Sequence, residues 1–403
     1  VAPMPRRTRD LTMSQQLARG PIDLPFLMLV VMLATIGVIM VFSASFATAV
    51  NEERRATYYF ERQAIFAVMG LVAMYIISRI NFQHFRMMSL LVLGISFLLL
   101  LLVLVPGVHT NRTDGVRRWI RSIGPIPSFQ PSEVVKLGVV LFFSARMSKR
   151  GSEKKRQYDT SVTLGQIAQK LEDWGFMELV PYGVILLAIA VLMYFEPHLS
   201  GTILILVPAA AILFVGGVKL RWFAMGGAAA GGLLLLMLQG YQSKRILVWK
   251  DPWAYSQDGG YQIIQSLYAI GSGGLFGVGF GQSRQKQLFL PEPENDFIFS
   301  IVCEELGLIG AGLILLLFAL LILRGYWIAL HARDKFGSLL VVGIITLMAV
   351  QVFLNISVVT NLLPTTGISL PFFSYGGTAL MIQLAEMGIV LSVSRQIPAP
   401  KQG

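Results

Sequence analysis

Carboxylates at the edges of apolar segments are the residues in this chain with most scope for chemistry. In Pro291-Glu292-Pro293-Glu294-Asn295-Asp296-Phe297-Ile298-Phe299, Asp296 stands where a polar loop gives way to a long apolar run. Two uses are open to it. As an N-cap it would bond the first free N–H groups of a helix, a position where Asp is preferred. Beside apolar surface its pKa would instead rise toward that of a general base. Cations able to meet an anion occur on other polar segments: Arg117, Arg118 and Arg121 on one, Lys244, Arg245 and Lys250 on another. An acid ringed by such cations suits a lipid-linked anionic substrate.

Charges inside apolar runs are the next guide, because each costs about 2.5–3.5 kcal/mol at a membrane-helix centre. Glu133 and Lys136, in Gln130-Pro131-Ser132-Glu133-Val134-Val135-Lys136-Leu137, are three apart and share a helix face, so they can pair. Ser132 is placed to cap that helix, with Pro131 ending anything before it. Glu304 and Glu305 point to different faces of one apolar helix, so at least one must meet a polar cavity or a cation. Glu386, with Gln383 one turn earlier, fits inter-helix hydrogen bonding. The four histidines have no zinc spacing. Gly277-Val278-Gly279-Phe280-Gly281 lacks the Lys and the strand of a nucleotide loop. With Gly271, Gly273 and Gly274 it would let a loop bend back against the membrane, its N–H groups free for an anion. The single Cys303 excludes an intrachain disulfide.

The elements that must position these residues follow from composition. Of 403 residues, 55% are hydrophobic and 14% charged, against about 25% charged in soluble proteins. An all-α polytopic membrane protein is expected. Ten apolar runs approach the roughly 20 residues that cross a bilayer: 24–46, 64–80, 88–105, 134–147, 179–194, 201–218, 222–238, 297–323, 337–360 and 372–392. The first is too long in its apolar core for a cleaved signal peptide. With the N-terminus inside, 20 of the 33 Lys and Arg fall on cytoplasmic segments and 12 on outer ones, so both termini are expected to be cytoplasmic. The +11 charge then reads largely as this topological signal plus attraction to anionic lipid, not as a nucleic-acid surface. The expected organisation is a basic arm over 1–23, a ten-helix domain over 24–394 and a tail over 395–403. Within the domain lie a cytoplasmic loop, 148–178, and a large outer loop between helices 7 and 8, 239–296.

The motifs in combination resemble the SEDS family (shape, elongation, division and sporulation), membrane glycosyltransferases that polymerise peptidoglycan from lipid II. The resemblance covers nearly the whole chain. It is carried by Arg118-Trp119-Ile120, the Gln130–Leu137 block, Tyr261-Gln262-Ile263-Ile264-Gln265-Ser266 and Phe289-Leu290-Pro291-Glu292. It continues through Asp296-Phe297-Ile298-Phe299, Glu304-Glu305-Leu306-Gly307, Leu363-Pro364-Thr365-Thr366-Gly367-Ile368-Ser369-Leu370-Pro371-Phe372 and Ser374-Tyr375-Gly376-Gly377. The resemblance implies ten helices, with Asp296 as the base that activates the acceptor 4-hydroxyl. It implies Arg118, Lys136 and Arg245 as pyrophosphate ligands, and Glu133, Gln265, Ser266, Glu292 and Ser374 as further substrate-binding positions.

A divalent cation, Mg²⁺ or Mn²⁺, is implied as cofactor. The partners implied are a class B penicillin-binding protein (a transpeptidase), divisome regulatory proteins, lipid II and an undecaprenyl-linked glycan. The location implied is the plasma membrane at the septum. Two departures stand out. Many relatives carry His-Thr where this chain has Glu294-Asn295, which places another acid near Asp296. Division-type relatives often carry Lys where Thr366 stands. The 148–178 insert, the arm with Arg6, Arg7 and Arg9, and Val359-Thr360 lean toward the division-type (FtsW) branch, with the elongation-type (RodA) branch second. Two other function classes remain: a transporter that flips lipid II, suggested by the intramembrane Glu304, Glu305 and Glu386, and a scaffold without chemistry.

Overall fold

A computed structural model describes residues 20–109, 118–122, 128–150, 166, 169–170, 172, 175–196, 199–237, 241–257 and 259–397. The basic arm with Arg6, Arg7 and Arg9, Arg117, most of the 148–178 loop and most of the tail lie outside them. Twelve helices are found among the described residues. They are α1 (Leu24–Asn51), α2 (Tyr58–Arg79), α3 (Gln83–Leu104), α4 (Pro131–Met147), α5 (Phe176–Phe195), α6 (Leu199–Val215), α7 (Leu220–Met237), α8 (Tyr241–Lys250), α9 (Gly260–Gly273), α10 (Ile298–Leu330), α11 (Lys335–Val359) and α12 (Gly377–Ser394). No strand forms among these residues; two isolated bridges, His109 to Ile120 and Ile120 to Phe129, tie down the α3–α4 connection.

Each expected span falls on a helix, and the outer loop adds α8 and α9. Seven helices are long and apolar enough to cross a membrane: α1, α2, α3, α5, α10, α11 and α12. The others at expected spans, α4, α6 and α7, are shorter or less apolar, and α4 and α6 pack against α11. Burial ranks the helices. Two thirds (67%) of the apolar window of α11 and of α12 is buried, against 22–44% in the other five long helices. The former pair therefore forms the centre of the bundle, and the exposed Leu, Val, Ile and Phe of the rest face lipid.

Local chemistry sets the ends. Asp23 caps α1 by accepting from Phe26 N at 3.0 Å, and it also takes a bidentate ion pair from Arg324 of α10, the closer contact 2.7 Å. Helix α4 begins at Pro131 with Gln130 at the cap position, since Pro suits the first helical residue, where no N–H is needed. Ser132 is therefore inside the helix, its buried hydroxyl unpartnered, and does not cap it. Asp296 is not a cap either: Phe297 occupies that position of α10 and no side chain bonds the first turn. Helix α10 breaks at Gly307, whose φ of 68° and ψ of −172° are not helical.

Candidate active site

At the end of the bundle that the charge distribution assigns to the outer face, the α4 start, the α6 start and the 360–376 loop line a small, partly open cavity of about 30 Å³. Its polar wall is Gln130, Ser132, Glu133 and Lys136 on α4, with Gln351 on α11 and Gly367 to Ser369 opposite. Lys136 Nζ meets Glu133 Oε2 at 2.7 Å, the side chains only 4% and 12% exposed. The three-residue spacing put them on one helix face, as expected. Glu386 of α12 lies within electrostatic reach of both.

Asp296 adjoins this cavity. Asn355 Nδ2 donates to the Asp296 carbonyl at 2.8 Å and to the Ile368 carbonyl at 2.7 Å, tying the aspartate and the loop to the rigid α11. Gly367 adopts φ +71°, and a Cβ built on it would stand 3.4 Å from Asp296 Oδ2. Gly367, which lines the Lys136 cavity, thus also stands beside the carboxylate.

Burial and three charged neighbours set the charge of Asp296. Burial first, and then the Glu292 carboxylate, raise its pKa against the downward pull of Arg118 and Arg245, to about 6 in all. Arg245 is held by its Nη1 donating to the Thr365 carbonyl at 2.9 Å. Its helix, α8, is fixed to the same loop by Trp249 Nε1 donating to the Asn361 carbonyl at 3.0 Å. Arg118 Nε donates to the Glu196 carbonyl at 3.3 Å. Glu292, in a left-handed backbone conformation (φ 45°), accepts from Asn295 Nδ2 at 3.0 Å. The acid that acts on Asp296 is therefore Glu292. Glu294 turns inward to Thr48 Oγ1 at 3.2 Å, and burial pushes its own pKa to about 7.

Other expected positions are placed differently. Ser266 is fully buried, donating to the Val359 carbonyl and sharing a 2.8 Å bond with Ser300, which ties α9 to α10 and α11. Gln265, beside it on α9, is part-buried. Ser374 Oγ accepts from Leu370 N at 2.7 Å, and its carbonyl accepts from Gln63 Nε2 at 3.2 Å. These two hydroxyls thus serve the packing around the site. Thr366 Oγ1 is buried without a hydrogen-bond partner, while its carbonyl accepts from Ser200 at 2.8 Å. Lys250 is exposed at the end of α8.

The acids of α10 are resolved by pairing, as their burial demanded. Glu305 meets Lys286 Nζ at 2.8 Å and Ser43 Oγ at 2.7 Å. Glu304 accepts from Ser283 Oγ and from Arg284 N at 3.0 Å. The glycine loop does bend back as expected, yet its N–H groups are not free for an anion. Val278 N and Gly279 N donate to the Glu304 and Glu305 carbonyls at 2.9 and 3.1 Å.

One acid escaped sequence reasoning. Glu196, at the C-terminal end of α5, is fully buried, and neither carboxylate oxygen has a hydrogen-bond partner. Burial pushes its pKa to about 8 against the opposing pull of Arg118. An acid closing an otherwise apolar span was the signal available. Asn355, polar within an apolar helix, was another.

The fold and site define a polytopic helical membrane protein with a shielded aspartate, two arginines and a buried lysine–glutamate pair at one membrane face. The chain belongs to the FtsW/RodA/SpoVE family, described as cell cycle protein, which matches residues 24–398. Stage V sporulation protein E of Bacillus subtilis is 42% identical over 375 residues, covering 93% of this chain and 97% of that protein. A probable peptidoglycan glycosyltransferase FtsW of Geobacter metallireducens is 39% identical over 380 residues, covering 93% and 95%. Among solved structures, a chain of a peptidoglycan synthase complex superposes with TM-score 0.70 at 25% identity over 93% of this chain and 98% of that one. The rod shape determining protein RodA of Thermus thermophilus gives 0.66 at 25% identity, covering 94% and 98%.

Proposed function

We propose that this membrane protein, a peptidoglycan glycosyltransferase by family, uses Asp296 as the general base of glycan polymerisation. The 4-hydroxyl of an acceptor lipid II attacks the anomeric carbon of a donor glycan linked through pyrophosphate to undecaprenol. Asp296 takes the hydroxyl proton, the configuration inverts, and undecaprenyl pyrophosphate leaves. The observation that carries this reading is one carboxylate within electrostatic reach of Arg118 and Arg245 and beside Gly367, a residue that also lines the Lys136 cavity. A base near pKa 6 is ionised at neutral pH yet basic enough to accept a proton, a contribution of roughly 10²–10⁴ in rate. The cations would hold the pyrophosphate by charge-assisted bonds.

No group of three or more Asp, Glu, His or Cys fit for a metal occurs among the described residues. Mg²⁺ commonly binds one or two carboxylates together with substrate phosphates, and Glu292 and Asp296 are the carboxylates within reach of each other. Glu292, with pyrophosphate oxygens, would hold Mg²⁺ or Mn²⁺, which would supply charge neutralisation of the leaving group and leave Asp296 free as the base.

The proposed partners are a class B penicillin-binding protein and divisome regulators, and the proposed place is the septal plasma membrane. Elongation and sporulation roles use the same chemistry. Lipid II transport needs polar groups free along a path, whereas Glu304 and Glu305 are engaged in internal bonds. The test is the purified protein reconstituted with such a transpeptidase and Mg²⁺ and supplied with lipid II. Glycan chains are expected; lipid II translocation without polymer would favour transport instead.

A further inference from the structure

The proposed chemistry leaves the 274–290 part of the outer loop unused. This segment repairs the break in α10. Where Gly307 interrupts the helix, Leu308 N donates to the Gly274 carbonyl at 2.9 Å and Ile309 N to the Leu275 carbonyl at 3.2 Å. The Glu304 and Glu305 carbonyls, also freed, accept from Val278 N and Gly279 N. Only glycine allows this approach: a Cβ on Gly307 would lie 2.3 Å from Gly277 N, and one on Gly277 would lie 2.1 Å from the Glu305 carbonyl oxygen. These backbone groups at the break are thus satisfied internally, as those of irregular chain entering hydrocarbon must be. The adjacent charges are neutralised by the Lys286–Glu305 pair and the Ser283 and Arg284 bonds to Glu304.

The side chains at the tip are the opposite. Leu275, Phe276, Val278 and Phe280 are all exposed, Phe276 by 80%. Their exposed surface continues that of Leu308, Ile309 and Leu313 on the lipid-facing side of α10. The level of the membrane follows from the inner end of the same helix, where Arg324 meets Asp23. Counting about 30 Å of hydrocarbon outward at 1.5 Å per residue ends near Glu304. The segment bonded to Leu308 and Ile309 lies just inside that boundary.

We propose that Leu275–Phe280 is a wedge inserted at the headgroup–acyl boundary of the outer leaflet, with Leu275, Phe276, Val278 and Phe280 against lipid chains. It braces α10 where the helix is broken. Helix α10 begins at Ile298, six residues before Glu304, so the wedge fixes the helix start, and Asp296 just before it, about 9 Å or more above the hydrocarbon edge, the level of a lipid-linked phosphate and its first sugar. The insertion itself does not depend on glycosyl transfer; only the height argument rests on the proposed function.

The test is depth measurement by electron paramagnetic resonance. Full-length Phe276→Cys and Lys250→Cys proteins in a Cys303→Ala background are spin-labelled. They are then reconstituted in phosphatidylethanolamine–phosphatidylglycerol vesicles without a partner. The label at 276 should collide with oxygen and be shielded from a water-soluble nickel chelate, its oxygen-to-nickel ratio several-fold above that at 250. Equal ratios at the two sites, or a label at 276 shielded from both reagents, would overturn the wedge, the second by pointing to protein–protein contact. If Phe276→Cys misfolds, Phe280→Cys serves in its place. A lipid-embedded label in a protein whose Asp296→Asn variant still polymerises would leave the wedge standing and remove the proposed chemistry.

Discussion

Gly367 brings its backbone so close to Asp296 that a methyl group on it would stand 3.4 Å from the carboxylate Oδ2. The relation joins two requirements. The backbone at 367 must be left-handed (φ +71°), and the carboxylate must face the space beyond. Gly367→Ala meets the first at a cost of about 1–2 kcal/mol and sets an apolar methyl in contact with the carboxylate at the second. The variant is expected to unfold at lower temperature and to turn over lipid II more slowly. Wild-type turnover would show that the loop is not the wall of the site.

The acid limb of the pH–rate profile belongs to Asp296. A base works deprotonated, so polymerisation should rise through pH about 6 and level off above it. Glu292→Gln removes the repelling charge and should move this limb to lower pH. Arg245→Gln removes an attracting charge and should move it higher. The position of the limb, rather than the maximal rate, is the quantity to compare across the variants.

Lys136 and Glu133 are buried as a pair, so removing one partner leaves a lone charge at a cost of about 3–5 kcal/mol. Lys136→Met alone should destabilise the detergent-solubilised protein more than the Glu133→Gln/Lys136→Met double variant does. Additive losses in thermal unfolding would deny the coupling. If Lys136 also meets pyrophosphate, activity stays low in the double variant while folding recovers.

Glu196 supplies a stability test. Its folded pKa of about 8 exceeds the ordinary glutamate value of 4.5, so the native state holds the proton more tightly than the unfolded chain. The stabilisation from this group is complete below pH about 4.5 and is lost as pH rises toward 8. Glu196→Gln should flatten that fall. A wild-type and a Glu196→Gln protein with parallel stability–pH curves would show that the acid is ionised in the fold.

What was legible in the sequence was what short-range spacing and burial cost determine. The apolar runs placed the spans, and the three-residue step from Glu133 to Lys136 placed their bond. The burial of Glu304 and Glu305 required partners, though Lys286 and Ser43 could not be named, because the contacts cross 19 and 262 residues of chain. Ser132 was misread as a cap because Pro131 itself can begin a helix. Asp296 fits the sequence pattern of a cap, and its true setting depends on Asn355 and Gly367, both brought to it by tertiary packing. Glu196 closes an otherwise apolar run, but whether folding buries such an end residue or leaves it in water depends on the tertiary packing around it.

The central claim is that Asp296 accepts the proton of the acceptor hydroxyl. Its most direct test is lipid II polymerisation by purified, partner-bound Asp296→Asn protein whose thermal unfolding matches wild type. Glycan synthesis should fall by at least the roughly 10²–10⁴ attributed to general base catalysis, with lipid II binding retained. Polymerisation at the wild-type rate by that folded variant would contradict the assignment.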